Sequence, residues 1–171
     1  MDNQMSLVDG WGRTMTIQYW DTFFEEVYQM DRNRMTREWV HSAKAKYSVV
    51  GSGADKFAGT LELGFQVSFP WSLSVGVNVS YTTPNILLDD MNIFPGASIS
   101  SDLGDSPGVQ EVVVFSADVE GSEGTVVVAN AHGKVTGAAG SVILRPFARL
   151  ISQTGDMVTT YGESFDLKGS L

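Results

Sequence analysis

Leu61-Glu62-Leu63-Gly64-Phe65-Gln66-Val67-Ser68-Phe69-Pro70-Trp71-Ser72-Leu73-Ser74-Val75-Gly76-Val77-Asn78-Val79-Ser80-Tyr81 places an apolar residue at every odd position. The even positions, from Thr60 to Thr82, hold Thr, Glu, Gly, Gln, Ser, Pro and Asn. Successive side chains of a strand point to opposite faces, so the stretch reads as a two-faced β-strand. Ordinary globular strands run about five or six residues, and one register held this long calls for a special explanation.

The second half of the stretch supplies it. From Trp71 to Thr82 the polar face carries only small residues, with Ser72, Ser74, Asn78 and Ser80 among them, while Trp71, Leu73, Val75, Val77, Val79 and Tyr81 make the other face continuously apolar. Soluble strands show Lys, Glu or Arg to water, whereas a transmembrane barrel strand sets apolar side chains against lipid and small polar ones toward a wet lumen. At about 3.3 Å per residue and a tilt of roughly 40°, twelve residues cross about 30 Å, the thickness of a hydrocarbon core.

Beyond it, Pro84-Asn85 interrupts the run, and Ile86-Leu87-Leu88-Asp89-Asp90-Met91-Asn92 reads as a hairpin tip. A return strand follows from Ile93 to Leu103, with Ile93, Ala97, Ile99 and Leu103 on one face and Gly96, Ser98, Ser100 and Asp102 on the other. Upstream, Trp39, His41, Ala43, Ala45, Tyr47 and Val49 alternate with polar neighbours as on a half-buried strand, and Gly51 to Asp55 makes a turn. Ile17 to Tyr28 fits a short helix or an aromatic-rich strand equally well. Downstream, Val109 to Val119 reads as a strand packed on both sides near Val112-Val113-Val114, and the runs Thr125–Ala129 and Val142–Leu144 are sandwich-like strands. The expected fold is all-β: residues 1–70 and 104–171 form a β-sandwich rim, and residues 71–103 form a long transmembrane β-hairpin.

A lone hairpin in lipid leaves its outer backbone groups unpaired, at several kcal/mol each, so other copies must supply the missing edges. Two strands per chain then imply at least about four chains, and a water-filled bore implies nearer sixteen strands in a symmetric ring.

Composition narrows the function classes. Twenty acidic against eleven basic residues give a formal charge of −9, which repels nucleic acid, so no nucleic-acid partner is expected. The absence of cysteine excludes disulfides and thiol chemistry, and His41 and His132, the only histidines, lie in different strands, so they read as structural rather than as metal ligands or bases. Arg145 and Arg149 fit pairing with carboxylates better than phosphate binding. No catalytic constellation, cofactor motif or spanning apolar helix is present in the sequence, so no enzyme and no cofactor are expected. Met1-Asp2-Asn3-Gln4 is not a signal peptide; for an exported protein the numbering is expected to begin at the mature form with an added Met.

Asp31-Arg32-Asn33-Arg34, Thr36-Arg37-Glu38-Trp39, Phe69-Pro70-Trp71-Ser72-Leu73, Tyr81-Thr82-Thr83-Pro84-Asn85-Ile86-Leu87, Asn130-Ala131-His132-Gly133 and Leu144-Arg145-Pro146-Phe147-Ala148-Arg149-Leu150 resemble the MspA porin family over nearly the whole chain. The resemblance implies a goblet-shaped homo-octamer in a mycobacterial-type outer membrane, whose eight hairpins close a sixteen-stranded barrel that passes ions and small hydrophilic solutes. It also implies an aspartate ring at the constriction, at Asp89 and Asp90, and further lumenal acids at Asp102, Asp118 and Glu123. Asp102 lies on the small polar face independently of the resemblance. The sequence departs from the family at the tip, where a longer loop with a third acidic residue is replaced by Met91.

Taken without the family, Asp89-Asp90 is a solvated turn, and with it a charged constriction; Trp71 and Tyr81 fit ordinary sandwich aromatics or, from their places at the ends of the lipid-facing run, an interfacial girdle. The expected function is a passive, cation-preferring porin whose partners are its own copies, outer-membrane lipid and the permeating ions and solutes. A toxin-like assembling barrel and a soluble sandwich binding module are the alternatives.

Overall fold

The computed structural model describes residues 3–27, 36–69, 71–72, 77–83, 85–88, 91–93, 97–104, 108–139 and 141–167. In chain order its strands are β1 (Asn3–Val8), β2 (Thr14–Val27), β3 (Thr36–Val50), β4 (Ala58–Phe69), β5 (Trp71–Ser72), β6 (Val77–Thr83), β7 (Asn85–Leu88), β8 (Met91–Ile93), β9 (Ala97–Gly104), β10 (Gly108–Glu120), β11 (Glu123–Thr136), β12 (Ala138–Ala139), β13 (Val142–Ser152), β14 (Met157–Tyr161) and β15 (Phe165–Leu167). Among the described residues the only helical element is one 3-10 turn, Ala54–Lys56.

Two antiparallel sheets pack face to face. The first runs β1-β2-β3-β11-β6-β9, with β7 on β11 and β8 on β7; the second runs β10-β4-β13-β14, with β15 on β13; β5 and β12 form a separate small pair. The inner face of the first sheet buries Met15, Ile17, Tyr19, Trp39, Ala43, Ala45, Tyr47, Val49, Val126, Val128, Ala131 and Val135. These meet Leu61, Leu63, Phe65, Val67 and Phe69 of β4 and Val142, Leu144, Ala148 and Leu150 of β13 in one apolar cluster. Each large side chain removed from water in this way contributes on the order of 1.5–3 kcal/mol, and the period-two spacing, reset in β11 by the register shift between Val128 and Ala131, puts them on one face.

Three local findings refine the reading of the sequence. The segment from Ile17 resolves as strand through Val27, with a bulge between Trp20 and Phe23 that shifts its register on β3. Val112 and Val114 are buried but Val113 is 37% exposed, so β10 is not packed on both sides. A bulge explains the spacing: Val113 stands opposite Gly64 and Phe115 opposite Leu63, which leaves Val114 as the extra residue. Lastly, the long odd-even register serves two sheets, since β4 belongs to one and β6 to the other.

Glycine at position 64 has a packing reason. A Cβ there would lie 2.2 Å from the Val112 carbonyl oxygen and 2.7 Å from the Phe147 ring, which is laid across the glycine on the outer side of the second sheet. Gly133 is the counterpart in the first sheet, where the Trp39 indole occupies the space a Cβ would need.

Candidate functional site

Strands β6 and β9 form a ribbon whose register decides which residues share a face. Asn78 stands opposite Asp102, Ser80 opposite Ser100 and Thr82 opposite Ser98. Directly opposed residues of an antiparallel pair lie on the same face, so the small polar positions of the two strands make one ladder. On the alternate positions Tyr81 stands opposite Ile99 and Val79 opposite Ser101. Ser101, and Thr83 opposite Ala97, are polar members of this mostly apolar set, and Leu103 falls at the irregularity between Val77 and Asn78.

Toward its end the ribbon continues as β7 and β8, with Ile86 opposite Ile93 and Leu88 opposite Met91. Two residues therefore connect the paired strands, the shortest link usual for a hairpin. Those two, Asp89 and Asp90, lie outside the described residues, as do Leu73, Ser74 and Val75. Trp71 and Ser72 form β5 and pair with Ala139 and Ala138.

The other two acidic positions are on the sandwich. Asp118 is exposed in β10 and accepts a 3.4 Å hydrogen bond from the Thr60 hydroxyl. Glu123 opens β11, exposed, with its carboxylate 3.6 Å from the Lys46 ammonium. An exposed pair of this kind contributes little to stability, and both carboxylates remain available to solvent ions.

His41 is buried, with its Nε2 3.0 Å from the Tyr19 hydroxyl and its ring against Phe24 and Phe65 at 4.5 and 5.1 Å. Burial disfavours the imidazolium and pushes its pKa down to about 3. His132 is half-exposed, 3.7 Å from Glu38. The two histidines thus occupy a core and a surface position, and the described residues contain no grouping of three His, Asp or Glu able to hold a metal ion.

Arg149 donates from Nη2 to both Glu111 carboxylate oxygens, at 2.9 and 3.1 Å, and from Nε to the Thr159 hydroxyl at 3.1 Å, and lies 4.7 Å over Phe147. Arg145 lies 4.6 Å over Tyr161 and donates to the Gly162 carbonyl. Both guanidinium groups are therefore committed to the outer face of the second sheet.

Sequence reasoning missed a fully buried ion pair among the described residues, Asp9 with Arg13. Arg13 Nη2 is 2.7 Å from Asp9 Oδ2, and the same carboxylate accepts the backbone N–H groups of Trp11 and Arg13 through Oδ1. Burial raises the Asp9 pKa, but the hydrogen bonds from Arg13 and Trp11 and the Arg13 charge outweigh it and hold the carboxyl below the usual range. Ser152 touches both groups at 3.4 Å, so the pair ties the β1–β2 turn to the end of β13. Only the tight Asp9–Arg13 spacing hinted at it, because Ser152 lies far along the chain.

With the geometry in place, comparison with known proteins gives the lineage. The MspA family model matches residues 9–166. The chain belongs to the MspA family. Porin MspA of Mycolicibacterium smegmatis (strain ATCC 700084 / mc(2)155) is 62% identical over 182 aligned positions, covering 98% of this chain and 86% of that protein. Porin MspB and Porin MspC of the same organism are each 61% identical, covering 98% of this chain and 85% of theirs. Membership in the MspA family, whose named relatives here are porins, sets the enzyme reading aside.

Proposed function

We propose that this chain is one subunit of an outer-membrane porin in a mycobacterial-type envelope, in which eight copies each lend a hairpin to one sixteen-stranded barrel. Near-full-length identity of about 61% to proteins named porins carries the reading. The ladder of Asn78, Ser80 and Thr82 opposite Asp102, Ser100 and Ser98 supports it, since small polar residues on one face of a ribbon are what a water-filled lumen needs.

In this reading residues 71–103 are the stem and the sandwich of residues 1–70 and 104–171 is the rim. Ser72, Ser74, Asn78, Ser80, Ser98 and Ser100 line the lumen. Trp71, Leu73, Val75, Val77, Val79, Tyr81, Ile99 and Leu103 face lipid. Asp89 and Asp90 encircle the narrowest point, while Asp102, Asp118 and Glu123 add negative charge along the path. An alignment of 182 positions against 171 residues means that the relatives carry residues this chain lacks, which fits a shortened tip.

Transport is passive. Sixteen carboxylates brought around one axis raise the local cation concentration and repel anions, and no covalent step is needed. The test is recording in planar bilayers under a KCl gradient. Discrete conductance steps with a reversal potential on the K⁺ side are expected; anion preference would contradict the assignment of the charged lumen.

A further inference from the structure

In the single chain the ribbon does not project. It is zipped along the edge of its own sandwich: Asn78, Val79, Ser80, Tyr81 and Thr82 pair with Thr136, Val135, Lys134, Gly133 and His132, and Asn85 to Leu88 pair with Ala129 to Val126. The opposite edge of β11 is meanwhile paired with β3 from Glu123 to Thr136. The ribbon's end, at Leu88 and Met91, stands level with Val126, inside the length of β11. A ribbon held there runs beside the sheet, so it cannot also extend from it across a hydrocarbon core.

The docking matches faces as well as edges. Val79 falls opposite the buried Val135, and Ile86 and Leu88 fall opposite the buried Val128 and Val126, so these apolar positions continue the core row of the sheet, while Leu87 falls opposite Val127 on the other row. Its polar positions, Asn78, Ser80 and Thr82, continue the outer row of Thr136, Lys134 and His132. A free β11 edge and a free amphipathic ribbon would each invite aggregation, and pairing them with each other removes one edge from both.

We propose that this is a parked form of the stem: the lone subunit stores the ribbon on β11, and assembly requires the β6–β11 and β7–β11 pairing to open while β6–β9 and β7–β8 stay closed. Released ribbons then take their hydrogen-bonding edges from neighbouring copies, as a lipid-embedded barrel demands. The proposal rests on the porin reading and adds a conformational step to it.

Cysteine locks test it cleanly, because the chain has no cysteine of its own. Opposed residues of an antiparallel pair stand about 4.5–5.5 Å apart at Cα, within reach of a disulfide. Leu87→Cys with Val127→Cys, and separately Thr82→Cys with His132→Cys, would tie the ribbon to β11. Leu87→Cys with Asn92→Cys would instead tie the ribbon to itself. Oxidised material is separated from reduced and added to planar bilayers, with its mass measured in detergent. Expected are monomers without conductance for both oxidised locks, recovery of assembly and current on reduction, and normal channels from the ribbon-internal disulfide. Oxidised locks that assemble and conduct like their reduced forms would overturn the parked state. Failure of the unmodified and all reduced chains to conduct would instead overturn the porin reading itself.

Discussion

Replacing Asp89 and Asp90 together by Asn is expected to cut the K⁺ over Cl⁻ permeability ratio by roughly tenfold, because a ring potential of a few kT multiplies local ion concentrations exponentially. The change removes two charges per chain without altering side-chain size much, so stability and assembly should be retained. The reversal potential under a salt gradient reads the effect directly, and the passage of polyanions should become easier in the same variant. An unchanged ratio would place the selectivity ring elsewhere along the path, with Asp102 the next position to examine.

The second large effect concerns the sandwich and pH. His41 is neutral in the fold, with burial pushing its pKa down to about 3 from its ordinary value of 6.5, while in the unfolded chain it protonates at that ordinary value. Between those values the unfolded chain binds more protons than the folded one, so stability falls as pH falls. The contribution is complete above about pH 6.5 and declines at up to about 1.4 kcal/mol per pH unit toward pH 3. Between pH 7 and 4.5 the fold should lose roughly 2–3 kcal/mol from this residue alone. His41→Phe keeps a ring between Phe24 and Phe65 and gives up the Tyr19 hydrogen bond, so it starts less stable but should lack this acid limb. Urea unfolding at both pH values compares them; equal acid sensitivity in the two proteins would mean that the imidazole takes up its proton without unfolding.

Much of the sandwich was legible because a strand with one face in the core must alternate. Trp39 to Val49 and Leu61 to Phe69 alternate in the sequence, and those apolar residues are buried in β3 and β4. The reading failed where a bulge reverses the parity. In β2 the shift between Trp20 and Phe23 scrambles an aromatic-rich run, so neither a period of two nor one of 3.6 emerges, and in β10 the extra Val114 made three consecutive valines look doubly buried. The passage of the chain from one sheet to the other between Phe69 and Val77 was invisible for the opposite reason: the parity continues across it while the partner strands change.

For the candidate site, the sequence displayed the small polar face of residues 72–82 and its counterpart at Ser98, Ser100 and Asp102. It could not show that Leu103 falls out of register with the other apolar positions of the return strand, because only the irregularity between Val77 and Asn78 puts it there. Nor could it show the ribbon lying on β11, since pairing partners depend on which edge is open. Hidden likewise were the identity of Glu111 as the partner of Arg149 and the reach of the Asp9–Arg13 turn to Ser152, since both depend on how the strands are assembled.

The central claim is that alternate residues of the ribbon face water and lipid in an assembled channel. Single cysteines at Asn78, Ser80, Ser98 and Ser100, and at Val79, Tyr81 and Ile99, introduced into this cysteine-free chain and probed with a charged, water-soluble thiol reagent during bilayer recording, test it most directly. Current should change on modification at the first four positions and stay constant at the other three. Current that responds at Val79, Tyr81 and Ile99 while the four polar positions remain silent would contradict the account.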